Sequence, residues 1–334
     1  MLTVNVDKFT LSRDDSFMEG WPDLIKLHSG RLLVAYNECV GHLNRDHSHI
    51  TVRVSDDEGK SWSEKRYVGE ETFQGDQWNS IRVNQMKDGR IILVCDRIAR
   101  SEFTRETEMY AFESLDGGDT WSDKRRLGIF GYCSDKVREL ADGSLLLCVS
   151  RFNAERGKSE IFAHKSLDGG ASWSAPVLAV ASDSYTFIEP AVLQMPGGAL
   201  AVFLRENSFK NYNGFAVLST DGGASFGEVF EIPVPGVHRP FVGYLRDGRI
   251  LLSYREFLNG DRSRLKACVF DEKALQTGEG FEIFELDRDR SPQADGGYSA
   301  WTELESGEIV MVNYIVDDAP KAYIRGYRIH LEER

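Results

Sequence analysis

Apolar and polar positions along this chain repeat in one unit: an apolar run, a short turn holding a glycine, and a second apolar run. The unit occurs at residues 23–38, 82–97, 137–151, 191–207, 241–256 and 301–315, with turn glycines Gly30, Gly89, Gly143, Gly198, Gly248 and Gly307. Two strand-length runs around a tight glycine turn predict a β-hairpin, so six hairpins are expected. A third strand follows five of them, at residues 50–55, 109–114, 161–166, 215–220 and 265–271. Short strands and glycine turns throughout, with no long helix, make the fold class all-β.

After four of the third strands comes a second repeat, Ser-x-Asp-x-Gly-x-Ser/Thr-aromatic, at residues 55–62, 114–121, 166–173 and 219–226. Its aspartates Asp57, Asp116, Asp168 and Asp221 are 59, 52 and 53 residues apart. A period near 50 residues is the signature of a repeat architecture, and at this length of a β-propeller. The Asp side chain can accept from backbone N–H groups further along the turn, and the glycines supply positive φ. The boxes are therefore read as structural turns whose aromatic packs in the seam between units. They resemble the Asp boxes of the sialidase-like six-bladed propellers. That resemblance implies six four-stranded antiparallel blades in a single domain spanning residues 1–334. The N-terminal strand, residues 2–11, is expected to pair with residues 322–331 and close the last blade.

Composition narrows the partners. A net charge of −13 argues against nucleic acid and anionic membranes, and no apolar run is long enough to span a bilayer. Five cysteines, scattered and without CxxC spacing, fit a reducing compartment and no zinc site. The N-terminus has no apolar signal core. The expectation is a cytoplasmic protein without a cofactor or metal, acting on a small glycan or glycoside.

Because the blades repeat, equivalent positions form rings around one axis. Nine residues before each turn glycine lie Trp21, Ser80, Ser134, Glu189, Arg239 and Tyr298; seven after it lie Asn37, Asp96, Ser150, Arg205, Arg255 and Tyr314. The third strands add His49, Glu108, Glu160, Asn213 and Arg264. All three rings are expected to open on the face opposite the glycine turns, where a converging polar set forms a substrate pocket.

Here the resemblance to sialidases reaches the chemistry. It implies Tyr298, in Gly297-Tyr298-Ser299, as nucleophile and Glu189 as its base, with Arg205 on the neighbouring strand. Asp46, on the loop before the first box, is implied as acid/base, and Arg264 or Arg262 as a further arginine. A Tyr is a poor nucleophile until a carboxylate takes its proton, and it is the sialidase exception to two-carboxylate glycoside hydrolysis. The chain departs from the family where an Arg opens blade one: it reads Glu19-Gly20-Trp21-Pro22-Asp23. Arg239 is placed to supply charge from elsewhere in the ring, and Trp21 to stack on a sugar. The function expected is a retaining, exo-acting glycoside hydrolase taking a terminal acidic sugar. Catalytic residues are Asp46, Glu189 and Tyr298; substrate-binding residues are Trp21, His49, Arg205, Arg239, Arg255 and Arg264. A uronate lyase working through His49 and Tyr298, or a glycan-binding propeller without turnover, stays open. His42, His47, His49 and His238 cluster near the pocket rings and are read as hydrogen-bonded pocket histidines, a metal site or a His base being the sharper alternatives.

Overall fold

The computed structural model describes residues 2–42, 44, 46–72, 77–98 and 107–333. Among these, twenty-four strands form six four-stranded antiparallel sheets, and the one helix is the short Ala274–Thr277. The sheets are the blades of a propeller. Blade one comprises Met18–Lys26, Leu32–Cys39, Ser48–Ser55 and Arg66–Thr72, in that order outward from the axis. The next four blades repeat this order. Blade six is built from Ser299–Glu303, Ile309–Ile315 and Tyr323–Glu333, and its outermost strand is Leu2–Ser12. Leu2 lies opposite Glu333 and Thr10 opposite Arg325, so the two ends of the chain share one sheet. Among the described residues no helix is long and apolar enough to cross a membrane.

The six hairpins form where the pattern places them. Their turn glycines hold φ between 81° and 93°, a region open to glycine at little cost. The apolar core divides into six clusters, each drawn from two adjacent blades. Propeller stability therefore lives in the seams. The four Asp boxes are alike: Asp168 accepts from the Ser172 N–H at 2.9 Å and from the hydroxyls of Ser172 and Ser166, while Gly170 N–H donates to Ser166 Oγ. Those hydroxyls and N–H groups hold Asp57, Asp116, Asp168 and Asp221 down at about 2, the hydroxyl of the seventh box residue contributing most. Trp62, Trp121, Trp173 and Phe226 each pack into the seam with the preceding blade. Blade five lacks a box, and Ala274, Leu275 and Phe281 cover the equivalent seam.

One irregularity positions everything at the centre. The innermost strands slip in register between Gly20 and Asp23, Asn79 and Arg82, Ile188 and Ala191, and His238 and Phe241. At each bulge a residue takes the left-handed conformation: Trp21 (φ 54°), Ser80 (49°), Glu189 (56°) and Arg239 (51°). Blade three uses Cys133 (48°) and blade six Gly297 (90°), one residue earlier than the repeat predicts. Bulges re-aim side chains; here four of the six innermost strands carry one at the same level around the axis.

Candidate active site

The ring seven residues after the turn glycines holds these bulges in place. Ser150 Oγ accepts from Glu189 N–H at 3.0 Å, Asp96 Oδ1 from Cys133 N–H at 3.2 Å, and Asn37 Nδ2 donates to Trp78 O at 3.1 Å. Each of these bonds crosses from one blade to the next. Three expected ring members, Asn37, Asp96 and Ser150, thus serve the backbone. In blades four to six the same ring carries Arg205, Arg255 and Tyr314, all buried.

These deliver a compact cluster. Tyr298 donates its hydroxyl to Glu189 Oε1, a contact spanning blades six and four. Arg205 Nη1 donates to both Glu189 oxygens, at 3.1 and 2.9 Å, and lies 3.4 Å from the Tyr298 hydroxyl. The guanidinium carbons of Arg239 and Arg255 stand 5.3 and 5.4 Å from the centre of the Tyr298 ring. Arg255 is tied to Gly296 O at 3.1 Å and Arg239 to Ser134 O at 3.3 Å. Gly297 is required here, because a Cβ would run into the stem of Arg255.

Charge is arranged to keep the proton on the phenol. Burial pushes the Glu189 carboxyl up, but Arg205, Arg239 and the Tyr298 hydrogen bond outweigh it and hold Glu189 at about 2. Burial and the Glu189 charge push Tyr298 above its ordinary value despite Arg205 and Arg255. The resting pair is a neutral phenol on a carboxylate. His238, stacked on Phe257 at 4.8 Å, is pushed down to about 2 by burial and by Arg205 and Arg255, so it is neutral. Below the cluster the axis is closed by the buried pair Asp23–Lys136 (3.0 Å), and by Arg82, which burial and Arg239 lower to about 10.

The expected residues divide clearly. Glu189, Arg205, Arg239, Arg255 and Tyr298 come together. Arg264 does not: its Nη1 donates to Glu256 at 2.8 Å, and Asp261 and Glu285 lie 3.6 Å away. His49 stacks on Tyr67 of the outermost strand at 4.3 Å. Both stand on third strands, two strand spacings, about 10 Å, out from the innermost strand. Register along a blade said nothing of that distance. Trp21 is a correction of another kind. Only 3 % of it is exposed, and His42 and Tyr314 pack against it at 5.2 and 5.7 Å. It builds the wall and offers no face to a sugar. Asp46 is half-buried on the loop of residues 40–47, where its carbonyl accepts from Val40 N–H at 3.1 Å.

Sequence reasoning missed Asp295, Cys133 and Tyr314's role. Asp295 Oδ2 accepts from His42 Nδ1 at 2.8 Å and its Oδ1 from the Tyr314 hydroxyl at 3.1 Å. Burial raises the Asp295 carboxyl, and His42, Tyr314 and Arg255 together bring it below its ordinary value. Only the clustering of histidines hinted at this pair. A cavity of about 500 Å³ opens beside blades two to four, lined by uncharged residues including Asn79, Tyr132, Thr186, Ile188, Asn207 and Phe209 and by none of Glu189, Arg205, Arg239, Arg255 or Tyr298. A larger cavity, about 710 Å³, lies at the rim of blades five and six among mutually paired charges such as Asp317, Arg290 and Arg325, away from the cluster. Among the described residues no group of His, Cys, Asp and Glu is placed to hold a metal ion.

Six blades, four Asp boxes and the Tyr–Glu–Arg cluster define a sialidase-like β-propeller. The chain belongs to the BNR repeat-like domain family, whose profile matches residues 30–311. No curated protein matches it in sequence. Among solved structures it is similar to a protein of unknown function from Dyadobacter fermentans, at 21 % identity and TM-score 0.83 over 98 % of this chain and 99 % of that one. It is also similar to the NanB sialidase of Streptococcus pneumoniae, at 15 % identity and TM-score 0.72 over 96 % of this chain and 70 % of that one. An α-L-arabinanase of Penicillium chrysogenum, solved with arabinobiose, matches at 20 % identity and TM-score 0.67 over 98 % of each chain. At these identities the likeness is one of fold, shared with glycoside hydrolases.

Proposed function

We propose that the protein is an exo-acting glycoside hydrolase that removes a terminal acidic sugar with retention of configuration. The observation that carries this reading is the Tyr298 hydroxyl donating to a Glu189 carboxylate that Arg205 holds in place. A binding site needs no such pair, and a nucleophile does. Tyr298 attacks the anomeric carbon while its proton passes to Glu189. A neutral phenol meets an acidic sugar without charge repulsion. Arg239 Nε and Nη1 and Arg255 Nε are buried donors without a protein acceptor. Such groups are costly to leave unmet, which favours a substrate carrying a carboxylate or several hydroxyls beside Tyr298. Departure of the aglycone calls for a proton donor from the rim, and the loop that carries Asp46 is where one is available.

The test is turnover of aryl glycosides, with the aryl sialoside and aryl uronides included, by wild type and Tyr298→Phe. Release of the phenol by wild type, reduced on the order of 10³-fold or more in the variant, supports the reading. Ultraviolet absorbance from an unsaturated product would replace it with a lyase, and binding without turnover would replace it with a lectin-like propeller.

A further inference from the structure

On the reading above, the leaving oxygen needs a proton, and a hydrogen-bonded pair stands at the chain surface, joined to the nucleophile through Tyr314. His42 lies on the loop after blade one's second strand; Asp295 lies three residues before Tyr298. His42 Nδ1–H donates to Asp295 Oδ2 at 2.8 Å across the seam between blades one and six. Asp295 is fixed from its other side: Tyr314 donates to Oδ1 at 3.1 Å, and the Asp295 N–H donates to the buried Asp289. Tyr314 in turn sets its ring edge-on to Tyr298 at 5.8 Å, and Trp21 fills the angle between His42 and Tyr314. His42, Trp21, Tyr314 and Tyr298 are therefore one contiguous wall. His42 keeps 42 % of its side-chain surface exposed, whereas Asp295 keeps 21 %. This is the arrangement of a proton-transferring imidazole oriented by a carboxylate. Asp46 has no comparable tie to the cluster.

We propose that His42 is the acid/base of the glycosidase reaction and that Asp295 is its positioning residue. In the first step the Tyr298 oxygen bonds to the anomeric carbon and the phenol proton moves to Glu189. The glycosidic bond breaks with its electron pair on the aglycone oxygen, which takes the Nε2 proton of doubly protonated His42. With Nδ1 engaged by Asp295, transfer falls to Nε2. In the second step water bonds to the anomeric carbon and gives its proton to Nε2. The Tyr298 oxygen leaves and recovers its proton from Glu189, and the enzyme is as it began.

A leaving-group series separates this from the underlying reading. The probes are methyl, 4-nitrophenyl and 2,4-dinitrophenyl glycosides of the sugar that wild type hydrolyses. In kcat/KM, which reports the first step, His42→Gln should lose about 10²–10⁴-fold on the methyl glycoside and little on the dinitrophenyl one, whose oxygen needs no proton. Asp295→Asn should show the same tilt, more weakly, while a purely structural defect would lower all three equally. A downfield imidazole N–H resonance in wild type, absent from Asp295→Asn, reads the His42–Asp295 bond without turnover. Equal losses on all probes in His42→Gln, or the tilt appearing in Asp46→Asn instead, would overturn the proposal while leaving Tyr298 as nucleophile. Full activity of Tyr298→Phe would overturn both.

Discussion

Arg205→Met would strand a charge, and the size of the effect follows from the geometry. Arg205 keeps 7 % of its side-chain surface and Glu189 1 %. Breaking an ion pair that dry costs about 3–5 kcal/mol, because the remaining carboxylate is buried without its partner. Linkage offers a second route. Glu189 lies at about 2 against an ordinary 4.5, and at about 1.4 kcal/mol per pH unit that is worth roughly 3 kcal/mol. Arg239 supplies part of that attraction and remains in the variant, so about 3 kcal/mol is the expectation. With an unfolding entropy of about 2.1 cal/mol/K per residue over 334 residues, Tm should drop by about 4 °C at pH 7. The sign of the pH dependence is also set. A depressed carboxylate contributes stability that is complete above about 4.5 and is lost as pH falls toward 2. The gap between wild type and variant should therefore narrow from pH 6 to pH 3, since protonated Glu189 no longer needs the guanidinium. Thermal unfolding followed by circular dichroism at several pH values measures both quantities. A variant as stable as wild type at pH 7, or a gap that stays constant down to pH 3, would refute the claim that Arg205 neutralises Glu189.

Three further outcomes are expected. Arg239→Ala should raise KM for a carboxylated substrate about 30-fold relative to its uncharged amide, from losing about 2 kcal/mol of charge-assisted contact, with kcat changed far less; equal KM changes for the two would place Arg239 outside the substrate site. Asp168→Ala should lower Tm at neutral pH and leave kcat/KM unchanged, and its deficit should fade as pH falls from about 4 toward 2, where wild-type Asp168 itself protonates. Deleting residues 2–12 should give an aggregating or unfolded protein by size-exclusion chromatography, because it bares the edge of Tyr323–Glu333 and uncovers the Gly326 backbone over which Phe9 packs; a monodisperse, cooperatively unfolding product would show that strand to be dispensable.

What the sequence made legible is what local chemistry encodes. The six hairpins and the boxes are turns, and turns are written in glycine and aspartate. Glu189, Arg205 and Tyr298 were legible because a repeating strand register carries them to one end of the blades. The third-strand set was misjudged because register along a blade does not contain distance across it, so Arg264 and His49 sit out among their own blade's side chains. Asp295 holds no repeat position at all; it enters from the loop before blade six, tied at its N–H to Asp289. The least legible feature is the bulge. Nothing in the apolar pattern says that the innermost strand turns left-handed at Trp21, Ser80, Cys133, Glu189 and Arg239, nor that blades three and six do so one residue early.

That bulge bears directly on function. Each left-handed residue other than glycine costs roughly 1–2 kcal/mol, so five of them claim an amount comparable to a typical domain's whole stability of about 5–15 kcal/mol. Packing alone has no use for such strain: an unbulged strand would bury its side chains in the seams, as the rest of each blade does. The bulge instead turns Glu189 and Arg239 onto the axis, and in blade six it falls on Gly297, the one position where Arg255 leaves no room for a side chain. There the relief of strain sets the register of the next residue, Tyr298, against Glu189. Strain concentrated at one level of a fold, and answered by interblade bonds from Ser150, Asp96 and Asn37, is what a site needs when its groups must be aimed before substrate arrives.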